Sequence, residues 1–328
     1  MAGPVAMRAA LCRSYGPPEV VRVEDRPSPP LAPGTVRVRV GAAAVNFPDV
    51  LMIADRYQLT VPLPFVPGSE FAGVVAEVAP DVATPAPGDR VSGTGTVGAF
   101  AQEVVVAAAG LRAVPSDVDD RRAAAFGVAH RTAYHTLRTV AGLCAGDELI
   151  VLGAGGGVGL ATVQLGVLLG AHVTAVASSA AKLDVAARYG ARTLINYRET
   201  ELRQALRERL PDGADIVLDP VGGDLAEPAL RSLRRGGRFV TVGYASGTIP
   251  RIPLNLVLLK GVRILGFHFQ DVPPDDFARN EEELAGLLAA HPWLPHIGAT
   301  FPLSEVATAL REVADGKAIG KIVLDLSG

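Results

Sequence analysis

In the first hundred or so residues apolar and polar positions alternate singly, as in Thr35-Val36-Arg37-Val38-Arg39-Val40, Gly73-Val74-Val75-Ala76-Glu77-Val78 and Gln102-Glu103-Val104-Val105-Val106. A period of two sends successive side chains to opposite faces, so these runs predict half-buried strands. Turns rich in Pro and Gly, such as Pro85-Ala86-Pro87-Gly88-Asp89, separate them; the pattern is that of a small irregular barrel. From about Asp119 the texture changes to short apolar runs alternating with Ala/Arg/Leu segments of helical period. Strands are expected at Leu149–Leu152, His172–Ala177, Thr193–Ile195, Asp215–Asp219, Arg238–Val242 and Val262–Phe267. Helices are expected at Val158–Leu169, Ala180–Tyr189, Thr200–Leu210 and Asp224–Arg234 between them. Six strands with helical crossovers specify a doubly wound parallel sheet. Beyond about Gln270, two helical patterns (Asp275–Ala290 and Ser304–Asp315) and a terminal strand (Lys321–Leu326) are broken by prolines, as in the first region. The expected organisation is α/β: one domain of residues 1–122 and 270–328, and a second of residues 123–269.

Composition agrees with two folded domains in 328 residues. Fifteen of the 25 prolines lie between Pro4 and Pro115, and none between Ser116 and Leu210. The net charge of −3, with no block of like charge, offers no basic footprint for nucleic acid or an anionic membrane surface. Cys12 and Cys144 are the only cysteines, which suits a reducing cytoplasm rather than a secreted disulfide framework. Residues Leu149 to Ala181 carry no formal charge, but seven glycines between Gly153 and Gly170 fit a turn better than a membrane span.

The sharpest local signal is Val151-Leu152-Gly153-Ala154-Gly155-Gly156-Gly157-Val158-Gly159-Leu160, placed directly after a β run and before a helical one. Glycines let the backbone turn tightly and approach a pyrophosphate, and the positive end of the following helix faces its charge. The loop, with Gly153, Gly156, Gly157, Val158 and Gly159, therefore points to a dinucleotide. The second strand of the unit ends Ala175-Val176-Ala177-Ser178-Ser179, where an NAD site would place a carboxylate for the ribose 2′-hydroxyl. Ser178 and, a turn later, Lys182 instead offer donors to a 2′-phosphate, which favours NADPH; by spacing alone Lys182 could equally be a solvated lysine.

Other chemistries lack their residues. The six histidines show no metal-ligand spacing with one another or with a cysteine, so no metal is expected. Tyr134 is followed four residues on by Arg138 and Tyr197 by Glu201, so no Tyr-x-x-x-Lys pair exists, and no P-loop lysine motif occurs.

Several further segments resemble the medium-chain dehydrogenase/reductase superfamily, in its zinc-free quinone oxidoreductase branch. They are Ala44-Val45-Asn46-Phe47-Pro48-Asp49, Pro67-Gly68-Ser69-Glu70-Phe71-Ala72-Gly73, Pro87-Gly88-Asp89-Arg90-Val91, Thr132-Ala133-Tyr134-His135, Asp219-Pro220-Val221-Gly222-Gly223 and Gly320-Lys321-Ile322-Val323. The resemblance implies a GroES-like irregular β-barrel domain carrying the substrate site and a Rossmann domain with a six-stranded parallel sheet. In the zinc alcohol dehydrogenases of that superfamily a cysteine ligand falls near the place of Asn46, and Gly-His-Glu takes the place of Gly68-Ser69-Glu70. The resemblance thus leaves zinc without two ligands and makes Glu70 a structural carboxylate. It also implies that Thr132 lies near the nicotinamide, that Val242 and Gly243 contact the cofactor, and that Tyr197 joins Lys182 at the 2′-phosphate. Leu51 stands where some quinone reductases have tyrosine.

Hydride transfer to a quinone or conjugated carbonyl puts negative charge on the acceptor oxygen, which needs a donor or a proton. On the loop from Asn46 to Tyr57, the Asn46 amide and the Tyr57 phenol are the candidate catalytic donors, with Asp49 a weaker one. The expected function is an NADPH:quinone oxidoreductase. An enoyl reductase acting on α,β-unsaturated ketones or acyl thioesters is the alternative, and a non-catalytic NADPH-binding protein a third reading. The apolar run Arg263-Ile264-Leu265-Gly266-Phe267 should form a sheet edge, and with the resemblance it leads to the expectation of a homodimer.

Overall fold

The structure, a computed structural model, describes residues 6–327. The chain divides into two compact units, Met1–Val128 with Leu288–Gly328 and Ala129–Leu287.

The first unit opens with an antiparallel pair, β1 (Ala6–Cys12) and β2 (Val21–Pro27). It continues through β3 (Thr35–Val45), α1 (Phe47–Ile53), β4 (Glu70–Val78), β5 (Arg90–Thr94), β6 (Glu103–Ala107), β7 (Leu111–Ala113) and α2 (Asp120–Phe126). In the second unit follow α3 (Ala129–His135), β8 (Glu148–Leu152), α4 (Gly157–Leu168), β9 (His172–Ala177), α5 (Ala180–Arg188), β10 (Thr193–Asn196) and α6 (Leu202–Arg209). Then come β11 (Ala214–Asp219), α7 (Ala226–Arg231), β12 (Leu233–Thr241), α8 (Asn255–Lys260), β13 (Arg263–Gly266) and α9 (Pro274–Ala290). The chain returns to the first unit with β14 (Ile297–Pro302), α10 (Val306–Ala314) and β15 (Lys321–Asp325).

In the first unit a seven-stranded sheet runs β14-β15-β3-β4-β5-β7, with β6 also paired to β3. The alternation seen in the sequence becomes the two faces of β3: Val36, Val38 and Val40 are buried with Phe71, Val75, Val91, Phe100 and Leu310, while Arg37 and Arg39 turn away. The register of β15 against β3 matters most for function. Ile322 lies opposite Val45, antiparallel, so Lys321 arrives beside Asn46.

The second unit is the doubly wound sheet, ordered β10-β9-β8-β11-β12-β13 and parallel throughout. Its central strands read as continuous apolar runs because crossover helices cover both faces; Leu149, Ile150, Val151 and Leu152 of β8 are all wholly buried. The strand order reverses between β8 and β11, the point at which such folds take ligands at the carboxyl ends of their strands. Among the described residues no helix is long and apolar enough to cross a membrane.

Three local features differ from the sequence reading. The segment after Asn46 is a helix rather than a loop, because the Asp49 carboxylate accepts the Asn46 N–H at 2.8 Å and closes its first turn. The helix expected to reach Arg234 ends at Arg231, since Leu233 already pairs with Ala214 and starts β12. Divisions were expected after residues 122 and 269, whereas the compact units divide after Val128 and Leu287. The second lies late because α9 is tied to α3: Glu281 accepts from Arg131 and His135, Glu283 accepts from the Tyr134 hydroxyl, and the Asn280 amide bonds His135.

Candidate functional site

Two constellations in the two units carry chemistry. The first is the turn between β8 and α4. Gly153 takes φ +62°, a left-handed conformation. A Cβ on Gly159 would lie 2.0 Å from the Gly153 carbonyl oxygen, so only glycine lets the first turn of α4 fold against the loop. Gly156 is the N-cap, and Gly157, Val158 and Gly159 form the first turn. Their N–H groups have no carbonyl to bond within the helix. Together these features make a cradle of backbone donors at the positive end of a twelve-residue helix, suited to a pyrophosphate.

Beside the cradle, a Cβ on Gly155 would meet the Lys182 side chain at 2.5 Å, so the lysine stem lies directly over the loop. Ser178 follows the end of β9, half-buried, and Ser179 caps α5, its hydroxyl accepting the Lys182 N–H at 3.4 Å. Burial, and then the neighbouring Arg198 charge, lower the Lys182 ammonium below the usual lysine range. A bound dianion would oppose both effects. Tyr197 stands next to Arg198; its N–H bonds the Ala177 carbonyl and its ring packs on the sheet core. No motif marks Arg198 in the sequence, and only the pairing of β10 with β9 brings it near Lys182.

At the carboxyl end of β11, Asp219 Oδ1 accepts the N–H groups of Val221 and Gly222, both at 2.8 Å, and shapes the turn that follows. Burial pushes its carboxyl upward, against those two bonds. Val242 donates its N–H to the Asp219 carbonyl, which sets Val242 and half-buried Gly243 beside that turn. Gly153 packs on the same turn, where a Cβ would meet Val221. Thr132 is buried in α3, whose His130 bonds Gln164 of α4 at 2.9 Å. The cradle, Lys182, Ser178, Tyr197, Val242 and Gly243 thus lie along the carboxyl ends of the sheet strands, with Thr132 on the helix packed against α4.

The second constellation is a buried polar cluster in the first unit. Lys321 Nζ donates to Glu70 Oε1 at 2.6 Å, Asn46 Oδ1 at 2.5 Å and the Val45 carbonyl at 3.2 Å. Asn46 Nδ2 donates to Glu70 Oε1 at 2.8 Å and reaches Ser69 Oγ and the Ala44 carbonyl at 3.3 Å. Glu70 Oε2 accepts the Val128 N–H at 2.6 Å. Asp49, wholly buried, sits against the same group, and burial pushes its carboxyl up to about 7, opposed by bonds from Asn46 N–H and the Ser69 hydroxyl and by the Lys321 charge. The Asn46 amide is therefore engaged inside the cluster. Tyr57 does not join it; half-buried, its ring packs against the barrel core.

This donor set does not suit zinc. A neutral amide and a hydroxyl stand at Asn46 and Ser69, and the Glu70 carboxylate is already bonded to the Lys321 ammonium and the Asn46 amide. Among the described residues no three His, Cys, Asp or Glu side chains gather as a metal site. Lys321 is the residue the sequence left out of this cluster, whereas Asp49, the weaker candidate, belongs to it. The signal was present in Gly320-Lys321, but its partners lie about 250 residues or more away.

Comparison with known proteins follows the same division. Residues 32–116 match the family described as alcohol dehydrogenase GroES-like domain, and residues 157–286 match zinc-binding dehydrogenase. The chain is 37% identical over 324 residues to quinone oxidoreductase-like protein 2 of Bos taurus, covering 97% of this chain and 92% of the relative. It is 38% identical over 304 residues to the spectinabilin polyketide synthase system protein NorB of Streptomyces orinoci, covering 90% of this chain and 13% of that much longer protein. Among solved structures, Escherichia coli quinone oxidoreductase complexed with NADPH superposes with a TM-score of 0.89 at 26% identity, covering 98% of this chain and 99% of that one.

The cluster makes a stability prediction. Replacing Lys321 by Met leaves Glu70 buried without its cation, and should cost about 3–5 kcal/mol in urea unfolding. Adding Glu70→Gln should recover part of that loss. Breaking the exposed Arg13–Glu24 pair should cost about 1 kcal/mol or less in the same measurement.

Proposed function

Because the chain belongs to the medium-chain dehydrogenase/reductase superfamily, in its quinone oxidoreductase-like branch, we propose that it is an NADPH-dependent oxidoreductase that reduces a quinone without zinc. When bound, NADPH supplies the hydride. The residues of this chain do the rest. The turn from Gly153 to Gly159 holds the pyrophosphate on backbone donors, and Lys182, Ser178, Tyr197 and Arg198 hold the 2′-phosphate. Thr132, Val242 and Gly243 border the nicotinamide. Tyr57 offers its phenol to the acceptor oxygen, and Asn46, its amide engaged with Glu70 and Ser69, fixes the polar group around Lys321.

The observation that carries this reading is the Lys321 ammonium bonded to Glu70 and Asn46 where zinc relatives of similar sequence place their metal site. Oxidising an alcohol calls for something that lowers its pKa and stabilises the alkoxide, a task a metal performs. An electron-poor quinone accepts hydride without that help. The 38% identity to a polyketide synthase system protein favours a second reading, reduction of an α,β-unsaturated thioester or ketone by the same hydride. A catalytically silent NADPH-binding protein is the reading that turnover would exclude.

A homodimer is part of the proposal. Among the described residues β13 ends the parallel sheet with one side unpaired, and Ile264 on it is 40% exposed. Near it in sequence, Leu254, Leu258 and Leu259 around α8 are exposed by 75%, 80% and 64%. An apolar edge of this kind suits a second copy of the same edge across a two-fold axis.

Replacing Lys182 by Ala should weaken NADPH at least tenfold and NADH little, since each charge-assisted bond to phosphate contributes about 1.5–3 kcal/mol; fluorescence titration of both cofactors reads the difference, and equal losses would remove the 2′-phosphate assignment. Stopped-flow mixing of the NADPH complex with 1,4-quinones and with enones should oxidise the cofactor, and the rate should survive dialysis against a strong chelator. Faster turnover of ethanol with NADP⁺ than of either acceptor would refute the reductase reading. Leu258→Glu should convert a dimer at micromolar concentration to a monomer by light scattering, whereas a monomeric starting protein would refute the interface.

A further inference from the structure

Four aromatic side chains of the second unit form one connected group. β13 pairs with β12 as far as Gly266, opposite Thr241, so Phe267, the next residue, stands level with Val242 at the carboxyl edge of the sheet. The Phe269 ring meets Phe267 in a T-shaped contact, with centroids 4.8 Å apart and planes at 75°. Phe269 also meets the imidazole of His135 in a T-shaped contact, at 5.7 Å and 76°, and Phe277 of α9 stacks on that imidazole at 5.0 Å and 26°. Thr132 lies three residues before His135 in α3, on the same helical face. The group thus runs between Val242 and Thr132, two residues that border the nicotinamide in the reductase reading.

Most of the group is held in place. The Arg131 guanidinium lies 5.3 Å from the Phe269 centroid and 5.5 Å from that of Phe277, within cation–π range of both. Glu281 fixes the guanidinium at 2.8 Å and bonds His135 Nε2 at the same distance, while the Asn280 amide meets His135 Nδ1 at 3.1 Å. His135 is wholly buried. Phe267, in contrast, is half-buried, and Phe269 is its one ring neighbour among the described residues. A T-shaped contact occupies at most one face of a ring, and a half-buried ring keeps area for a ligand. Phe267 therefore offers a flat apolar surface, set in its orientation by Phe269, beside Val242.

We propose that Phe267 is the platform on which the electron acceptor stacks and that it selects flat, fused-ring quinones, an inference that rests on the reductase reading and narrows its substrate class. Aromatic rings in offset or edge contact gain more than the apolar area they bury. A ring already fixed in orientation loses little freedom when a ligand stacks on it. A 1,4-naphthoquinone has two fused rings, so its second ring can cover Phe267 while the quinone ring faces the nicotinamide. In a 1,4-benzoquinone the one ring must face the nicotinamide, and an acyclic enone has no ring to stack. Phe267 touches the acceptor but moves no proton or electron. Its contribution is to affinity, and it belongs in KM rather than in kcat.

Binding and turnover test this separately. Calorimetric titration of 1,4-naphthoquinone into the NADP⁺ complex, which has no hydride to give, reads acceptor binding alone. Phe267→Leu keeps an apolar side chain but removes the ring, and should weaken that binding about three- to tenfold. Phe267→Trp, which keeps a flat ring, should bind at least as tightly as the unsubstituted protein. In steady-state turnover with NADPH, Phe267→Leu should raise KM for naphthoquinone by a similar factor while kcat stays within about twofold, and KM for an acyclic enone should rise less. NADPH affinity, read by fluorescence titration, should not change. No naphthoquinone binding to the unsubstituted complex, unchanged binding in Phe267→Leu, or an equal loss for NADPH would overturn the platform while leaving the reductase reading intact. If naphthoquinone binds in a way that depends on Phe267 but no acceptor oxidises NADPH, the reductase reading fails and the platform stands as a site for flat ring systems.

Discussion

A lysine ammonium withdrawn from water must find acceptors for its donors, and the first unit is arranged around that requirement. The three acceptors come from β3 (the Val45 carbonyl), from the residue after it (Asn46) and from β4 (Glu70). The lysine itself comes from β15, and the antiparallel register that sets Ile322 opposite Val45 delivers it there. A slip of one residue would turn Lys321 to the other face and empty the group. The same requirement explains why Glu70 is fully bonded, through Lys321, Asn46 and Val128, and why no vacant ligand set for a metal is left at this place.

The second unit follows a different logic, in which the backbone matters more than side chains. Its sheet buries unbroken apolar strands under helices, and apart from Thr132 on α3 the special positions lie at or just beyond the carboxyl ends of strands. There the chain must turn into a helix within a few residues, and the glycines from Gly153 to Gly159 meet that demand while the first N–H groups of α4 have no carbonyl partner within the helix. Lys182 and Arg198 add positive charge one strand away, where a carboxylate would have signified the other nicotinamide cofactor.

The parts legible in the sequence are those whose physics is local. The glycine turn needs only a strand before it and a helix after it, and the alternation in β3 marks its buried face, so the two-domain α/β architecture could be read directly. Seven-residue α1 escaped notice because its helical signal is short and is carried by the Asn46–Asp49 bond rather than by apolar periodicity. The cluster was less legible because it is built by long-range pairing: Gly320-Lys321 contributed to the resemblance, yet nothing near it in sequence indicates Glu70 or Asn46. Arg198 belongs to the same class, since only the pairing of neighbouring strands reveals its charge beside Lys182.

The order in which the chain is made gives the discontinuous first unit a further meaning. Asn46 and Glu70 are synthesised early, the whole of Ala129–Leu287 follows, and β15 with Lys321 comes after it. The second unit is a single continuous stretch and has all its strands available once Leu287 has emerged. Until β15 arrives, Glu70 lacks its cation and the β3 edge lacks its neighbour, so the nascent barrel holds an open strand and an uncompensated carboxylate at the same place. Closure of that edge and neutralisation of that charge are one event, and the polar site is completed by the step that finishes the sheet.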